Sequence, residues 1–199
     1  MKKSDSLPSA SALYAAHLIE RLGRLLRAGD HATGLNPAQA EALRYLSRAN
    51  RFSRTPAALA EYLGSTRGTV SQTLLALEAK GLIERQANAR DGRSVMLTIT
   101  QAGLAFLSAD PVRALAKTID ASGAGARLAN DLEAGLRAAI AERGGRVFGA
   151  CHTCRHFRRD ERGGVYPHHC ALLDEKLSGG DAVAICLEHS AEGSGASSG

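Results

Sequence analysis

The sequence is poor in aromatic residues, because its 199 residues include four tyrosines, four phenylalanines and no tryptophan. It also lacks any apolar run close to the roughly 20 residues that a transmembrane helix needs. The N-terminal segment MKKSDSLPSASALY has two lysines but no apolar stretch of signal-peptide length. These absences argue against membrane-spanning helices. They predict a cytoplasmic protein without a membrane partner, in which cysteines stay reduced.

Recognisable catalytic patterns are also missing. No nucleophile is paired with a base, and no two carboxylates are spaced for acid–base chemistry. The glycines of residues 144–145 and 178–181 are predicted to form a linker and a turn, because neither follows a strand as a phosphate-binding loop must. The sequence therefore predicts a protein that is not an enzyme.

What the chain does contain favours helices. Alanine and leucine dominate its composition, and both have high helix propensity. The formal net charge of +5 fits a polyanionic partner, although a basic protein with a merely solvated surface has the same balance. Composition thus predicts a largely helical chain and leaves the partner open.

Hydrophobic residues at helical spacing predict seven helices. Asn36 and Thr55 (or Ser53) are candidate N-caps, with prolines at the first helical positions. Asp110–Pro111 is expected to break or kink the chain between two helices. The predicted helical ranges are 10–28, 36–50, 55–63, 66–81, 101–108, 114–120 and 127–143. The segments predicted without regular structure are the turn 29–34 and the disordered ends 1–9 and 191–199.

The helix predicted at residues 66–81 has one apolar and one polar side. Val70, Leu74 and Leu77, together with Leu82 beyond Gly81, form the stripe expected to be buried. The other side carries hydroxyls, an amide and a guanidinium, which are suited to phosphates and base edges in a DNA major groove. The residues off the stripe are Thr66, Arg67, Thr69, Gln72 and Thr73. Two short strands are predicted next, at residues 82–85 and 95–99, joined by a polar turn.

Spaced motifs in this region resemble the winged helix-turn-helix of the MarR family of bacterial regulators. They are LEAKGLIER at residues 77–85, the turn Asp91–Gly92–Arg93, and LTITQAG at residues 97–103. The family usually has two consecutive arginines after the aspartate, and glycine replaces the first of them here. A further motif, LNPAQAEALRYL at residues 35–46, agrees with the family pattern, so that the resemblance extends over residues 10–143.

The resemblance implies a mainly α fold of the α+β type, a winged helix-turn-helix with a helical dimerisation region. Residues 10–34 and 102–143 would pair two subunits of a homodimer. Residues 35–101 would form the DNA-binding core, with the wing at 82–99. A small, cysteine-rich and metal-bound segment would follow at residues 144–190.

The same resemblance implies double-stranded DNA with a pseudo-palindromic operator as the partner. On the helix, Arg67, Thr69 and Gln72 would contact bases, while Thr66 and Ser71 would contact phosphates.

The wing would reach the DNA backbone or minor groove through Arg90 and Arg93. Asp91 would orient Arg93 by a charge-assisted hydrogen bond. The alternative is an Asp–Arg pair in a surface turn, without energetic consequence.

All four cysteines lie within residues 144–190, a segment with little helical periodicity. They form one C-x-x-C pair and two single positions, namely Cys151, Cys154, Cys170 and Cys186. Four thiolates suit tetrahedral zinc or an iron–sulfur cluster, and a segment with so few core residues needs such a centre to fold. The alternatives are four free thiols and a redox-active C-x-x-C pair, which here lacks the βαβ context of thioredoxin-like motifs.

The spacing favours an iron–sulfur cluster, [4Fe–4S] or [2Fe–2S], over zinc. Structural zinc sites usually pair two C-x-x-C knuckles, whereas single third and fourth cysteines suit a cluster. Zn²⁺ stays the alternative, because five histidines share the segment and imidazole is a good zinc ligand. His168 or His169 is the best candidate to replace a cysteine.

Together these features predict a transcriptional regulator whose operator affinity is modulated by the cluster, in response to redox state or iron. Because the cysteine-rich segment follows the last dimerisation helix, the cluster is expected to act on the angle between the subunits. The alternative is a repressor that responds to a small molecule, which the sequence does not identify, and whose zinc site is purely structural.

Overall fold

The computed structural model describes residues 7–32, 34–87 and 95–191, without the side chains of residues 31 and 32. Up to residue 142, these described residues form seven helices and one two-stranded antiparallel sheet. The elements are α1 (Ala10–Ala32), α2 (Pro37–Arg48), α3 (Pro56–Leu63), α4 (Arg67–Ala79), β1 (Ile83–Ala87), β2 (Val95–Ile99), α5 (Gln101–Ser108), α6 (Pro111–Ala121) and α7 (Gly125–Glu142). The predicted fold class, mainly helical with a winged helix, is confirmed.

The C-terminal part has more regular structure than the sequence predicts. Its elements are β3 (Gly149–Ala150), a 3₁₀ turn (Cys151–Thr153), β4 (Phe157–Arg158), β5 (His168–Cys170), β6 (Glu175–Leu177), α8 (Gly179–Val183) and β7 (Ile185–Cys186). Strand β3 pairs with β7, and β4, β5 and β6 form a three-stranded antiparallel sheet. Strands of two or three residues are too short to show an alternating pattern, so hydrophobic periodicity does not reveal them.

One buried core joins α2, α3, α4 and the wing strands. Leu43, Leu46, Leu59 and Leu74 are fully buried in it, and Leu97 of β2 closes it from the wing side. Each such side chain contributes about 1.5–3 kcal/mol by its removal from water. The stripe predicted on α4 is confirmed, since its members are among the buried residues. The core thereby turns the opposite side of α4 toward solvent.

Local signals set the starts of three helices as predicted. The side chains of Asn36, Thr55 and Thr66 accept the backbone N–H three residues downstream, at 2.9, 3.1 and 3.2 Å. These bonds satisfy donors that have no partner within the helix. Gly81 follows α4 with φ of +67°, a conformation that glycine adopts without steric cost.

Helix α1 is longer than predicted. The turn predicted at residues 29–34 is wrong in its first part, because the helix continues through Gly29 to Ala32. Asp30 is buried and hydrogen-bonded by Arg44 of α2, which holds the last turn of α1 against α2. Gly29 packs against Pro111, where a Cβ atom would lie 2.6 Å from the proline ring. Both contacts come from residues distant in sequence.

Asp110–Pro111 separates two helices as predicted, but α6 begins at Pro111 instead of residue 114. Asp110 is its N-cap, and its Oδ1 accepts the N–H of Val112 at 2.8 Å. Proline is favourable at the first helical position, because the N–H it lacks would have no helical partner there. Helix α7 likewise begins two residues earlier than predicted, at Gly125.

The predicted disordered ends fall mostly outside the described residues. Residues 7–9 are described and belong to neither helix nor strand, and Ala191 forms an isolated bridge with Cys154. Among the described helices, none is both long enough and apolar enough to span a bilayer.

Candidate nucleic-acid interface and thiol pocket

The outward side of α4 presents the side chains that the sequence singled out. Arg67, Thr69, Ser71 and Gln72 are all exposed. Thr73 is only half-buried, and its hydroxyl donates to the carbonyl of Thr69 at 3.1 Å. The four exposed side chains offer hydrogen-bond donors and acceptors on the solvent side of α4, the side-chain types that contact base edges and phosphates.

Thr66 lies at the start of this face and serves first as a cap. Its Oγ1 accepts the N–H of Thr69 and lies 2.9 Å from the Thr69 hydroxyl. Arg67 lines a concave surface of about 340 Å³ between α3, α4 and β2. The other residues that line it are Thr55, Pro56, Ala57 and Val95. This concavity separates the helix face from the wing.

Strands β1 and β2 form the base of the wing, in a register from Ile83↔Ile99 to Ala87↔Val95. Strand β1 begins one residue later and ends two residues later than predicted. Arg85 of β1 forms an ion pair with Glu78 of α4 at 3.0 Å, which ties the wing to the helix. The three predicted wing contacts, Arg90, Asp91 and Arg93, lie outside the described residues.

All four cysteines line one small pocket in the C-terminal part. Cys151 and Cys186 are buried, and Cys154 and Cys170 are partly buried. The remaining lining residues are His156, Phe157, Leu172, Leu177 and Glu188. The structure therefore brings together thiols that are up to 35 positions apart (186 − 151) and surrounds them largely with apolar side chains.

The sulfur atoms accept hydrogen bonds from the surrounding protein. Asn50 Nδ2 donates to Cys151 Sγ at 3.3 Å, and the Ser190 N–H donates to Cys154 Sγ at 3.4 Å. The Cys151 thiol donates to Cys186, and this bond lowers the pKa of Cys186 to about 6 in spite of its burial. The same bond, together with burial, raises the pKa of Cys151. The thiolate is the form of cysteine that binds metal.

The described residues contain no group of three or more His, Cys, Asp or Glu side chains placed to hold a single metal ion. The four cysteines nevertheless line the same pocket. Zn–S bonds of about 2.3 Å would bring four tetrahedral sulfurs to about 3.8 Å from one another. The donor set, four cysteines around one pocket, is chemically suited to either zinc or an iron–sulfur cluster.

The two histidines considered as alternative ligands have other partners. His168 accepts the N–H of Asp160 on Nδ1 at 3.2 Å and packs on Phe157 with ring centroids 5.0 Å apart. His169 lies between Glu161 and Asp174, with N–O distances of 3.2 and 3.0 Å. Sequence reasoning did not single out His156, the histidine that lines the pocket.

Sequence reasoning also missed the turn that joins the two parts of the molecule, residues 49–54 between α2 and α3. Ala49 bridges Ile185, the Asn50 N–H donates to the carbonyl of Ile185 at 2.8 Å, and Leu187 N–H donates to Ser53 Oγ at 2.9 Å. No local sequence pattern predicts these contacts, because the partners of the turn are more than 100 residues away in sequence. The cysteine-rich part is thereby docked on the winged helix.

Two arginines add ion pairs across the same junction. Arg51 contacts Asp181 at 2.9 Å and Glu175 at 3.4 Å. Arg146 contacts Glu61 of α3 at 3.1 Å and Glu188 at 3.6 Å. These side chains are partly exposed, so each pair contributes at most about 1 kcal/mol to the docking.

Comparison with protein families matches residues 33–94 to the MarR family. Comparison with curated protein sequences found no significant match. Among solved structures, CouR from Rhodococcus jostii RHA1 bound to p-coumaroyl-CoA is similar with a TM-score of 0.54 and 16% identity, over 67% of this chain and 94% of CouR.

The S. aureus MepR–DNA complex is similar with a TM-score of 0.51 and 20% identity, over 68% of this chain and 99% of MepR. A MarR family transcription regulator is similar with a TM-score of 0.50 and 23% identity, over 66% of this chain and 89% of that one. Identities at this level establish a shared fold. The match in sequence shows that residues 33–94 are similar to the MarR family.

Proposed function

We propose that this protein is a homodimeric transcriptional regulator that binds a pseudo-palindromic site on double-stranded DNA with α4 in the major groove. The observation that carries the proposal is the exposed row on α4, held outward by a fully buried stripe on its other side. Arg67, Thr69 and Gln72 contact bases, and Thr66 and Ser71 contact phosphates. MepR, which shares the fold, has been solved on DNA.

Exposed apolar side chains on α1 and α7 support a dimer of this chain. They include Leu13, Leu18, Ile19, Leu22 and Leu25 on α1, and Leu132 and Leu136 on α7. An apolar surface of this extent is covered in soluble proteins. A second copy covers it in our proposal and places the two α4 helices about 34 Å apart, at successive major grooves. The wing residues Arg90, Asp91 and Arg93 then lie beside the flanking DNA backbone.

The DNA-binding proposal is tested by selecting bound duplexes from a random-sequence pool and measuring affinity for the selected site. Arg67→Ala is expected to weaken that affinity by about 1–3 kcal/mol, since a bidentate base contact contributes that much. Arg159→Ala, at an exposed position of the cysteine-rich part, removes the same charge and serves as the control. Equal affinities of both variants for the selected site would contradict the assignment of α4 as the recognition helix.

We further propose that Cys151, Cys154, Cys170 and Cys186 hold an iron–sulfur cluster, of the [4Fe–4S] or [2Fe–2S] type. Support comes from the shared pocket, the N–H donors directed at sulfur, and the sequence spacing of one C-x-x-C pair with two single cysteines. Such a cluster supplies a centre whose charge and occupancy respond to oxidants and to iron supply. A structural Zn²⁺ ion is the competing assignment.

Elemental analysis of anaerobically reconstituted protein separates these assignments. Iron with acid-labile sulfide and absorption at about 400 nm is the expected result. Stoichiometric zinc without iron would overturn the cluster. Operator affinity, measured before and after reconstitution, is expected to differ, because the loaded and metal-free forms favour different arrangements of the winged helix.

A second candidate function is a repressor that responds to a small molecule, with a purely structural metal site. CouR, similar in fold, was solved with p-coumaroyl-CoA, and an open, shallow surface region of about 450 Å³ lies along α1 of this chain. Its lining includes three basic or titratable side chains, His17, Arg21 and Arg24, which suit an acidic ligand. A variant with all four cysteines replaced by serine discriminates, because it loses the response to iron and oxidants only if the thiols are the sensor.

A further inference from the structure

Asn50 belongs to the winged helix but reaches into the thiol pocket. It lies between α2 and α3, and 2% of its surface is exposed. Its Oδ1 accepts two backbone N–H groups, from Phe52 at 3.1 Å and from Ser53 at 2.9 Å. Since the oxygen must face these donors, the amide nitrogen is directed away from them.

That nitrogen donates to Cys151 Sγ at 3.3 Å. Both ends of one buried amide are therefore used, one within the turn of the winged helix and the other on a thiol more than 100 residues away in sequence. A hydrogen bond to a ligating sulfur lowers the charge density on that sulfur. It thereby affects both the affinity of the protein for the centre and the reduction potential of the centre.

The same turn also positions the second buried thiol, through hydrogen bonds to the two residues that flank it in sequence. The N–H of Asn50 donates to the carbonyl of Ile185, and Ser53 Oγ accepts the N–H of Leu187 at 2.9 Å. Cys186 lies between these two bonds. Two of the four thiols, Cys151 and Cys186, are consequently positioned by residues of the winged helix.

On its other side the turn is bonded to the wing and to α2. The carbonyl of Arg54 accepts the N–H of Leu97 in β2 at 2.7 Å, and the carbonyl of Ser53 accepts the hydroxyl of the buried Tyr45 at 2.6 Å. A displacement of the turn would therefore shift the wing strand of the same protomer. The cysteine-rich part is hydrogen-bonded to this same turn. The turn therefore offers a route from the thiol pocket to the wing that does not pass through the dimer helices.

We propose that Asn50 is a positioning residue for the thiolate-bound centre, and that residues 50–54 carry the state of that centre to the wing within one protomer. This inference rests on the proposed function, because it requires a centre at the four cysteines and a wing that contacts DNA. It assigns the coupling between the centre and the DNA-binding surface to this turn, whereas the sequence alone assigned that coupling to the angle between the subunits.

The test uses Asn50→Asp in the full-length protein. Aspartate keeps the acceptor for Phe52 and Ser53, so the turn stays capped, but it places a carboxylate where the thiolate had a donor. The full chain is loaded with ferrous iron and sulfide without oxygen, and loss of the centre to a chelator is followed by absorption. Loss is expected to be about 10–100-fold faster than in the parent protein, the range typical for outer ligand-orienting groups.

Asn36→Asp is the matched control. Asn36 also accepts a backbone N–H on its Oδ1, but it is the N-cap of α2 and lies away from the thiols. It is expected to lose the centre at the parent rate. In Asn50→Asp the ratio of operator affinities with and without the centre is also expected to fall toward one, whereas Asn36→Asp keeps the parent ratio. If Asn50→Asp does not fold, Ser53→Ala, which removes the bond to Leu187, takes its place with the same expectation.

The outcomes separate this inference from the function beneath it. If the parent protein takes up neither iron nor zinc, the thiol-bound centre itself is wrong and this inference falls with it. If the parent is loaded and Asn50→Asp loses the centre at the parent rate with an unchanged affinity ratio, only the role of Asn50 is overturned. Faster loss with an unchanged affinity ratio keeps the positioning role and overturns the route through residues 50–54.

Discussion

The largely buried charge of Arg44 holds several helices of this protein together. Its guanidinium bonds both carboxylate oxygens of Asp110, at 2.7 and 2.8 Å, and also bonds Asp30. The two aspartates stand at the end of α1 and the start of α6. One side chain of α2 therefore joins three helices, with a single positive charge facing two carboxylates where water is largely excluded.

Removal of this arginine is expected to be costly, because two buried carboxylates would lose the positive charge of its guanidinium. Arg44→Ala should lower the free energy of unfolding by about 3–5 kcal/mol, the range for breaking a buried ion pair. Urea-induced unfolding of the metal-free protein measures it. Arg113→Ala, an exposed arginine, should change stability by no more than about 0.5 kcal/mol, and a similar loss in both variants would contradict this role of Arg44.

At the scale of elements, the N-cap of α6 links helix geometry to this charge cluster. Burial alone would raise the pKa of Asp110, but hydrogen bonds from Arg44 and from Val112 hold it below its ordinary value. A carboxyl whose pKa is lowered by folding stabilises the folded state above its unfolded pKa of about 3.9. That stabilisation is lost as pH falls below about 4 toward the folded pKa.

Asp110→Asn separates the cap from the charge, since asparagine caps helices as well as aspartate does. The variant should be less stable than the parent near neutral pH, and the difference should shrink as pH falls below about 4. Urea unfolding over this range gives the measurement. A difference that stays constant with pH would show that the charge of Asp110 contributes nothing.

At the scale of the whole molecule, the exposed apolar faces of α1 and α7 form the dimer interface proposed above. Leu132→Glu with Leu136→Glu is expected to convert the dimer to a monomer, because it places charges in the proposed interface. Light scattering measures the mass, and affinity for the selected duplex should fall together with it. Val165→Glu with Val183→Glu, at exposed positions of the cysteine-rich part, is the control that should stay dimeric.

Sequence alone determined the elements whose signals are local. The caps at Asn36, Thr55 and Thr66, the buried stripe of α4 and its exposed polar row all follow from side-chain periodicity and from the need to satisfy the first N–H groups of a helix. The grouping of four cysteines in one short segment likewise predicts a common pocket.

Tertiary structure decided what depends on residues distant in sequence. Helix α1 extends to Ala32 because Arg44 bonds Asp30, and the cysteine-rich part docks on the turn at residues 50–54 because its strand β7 supplies partners for backbone groups there. No local pattern encodes such contacts, since each partner taken by itself is an ordinary polar residue in a helix end or a turn. Only the folded core brings Asn50 to a thiol, and with it the connection between the proposed metal centre and the wing.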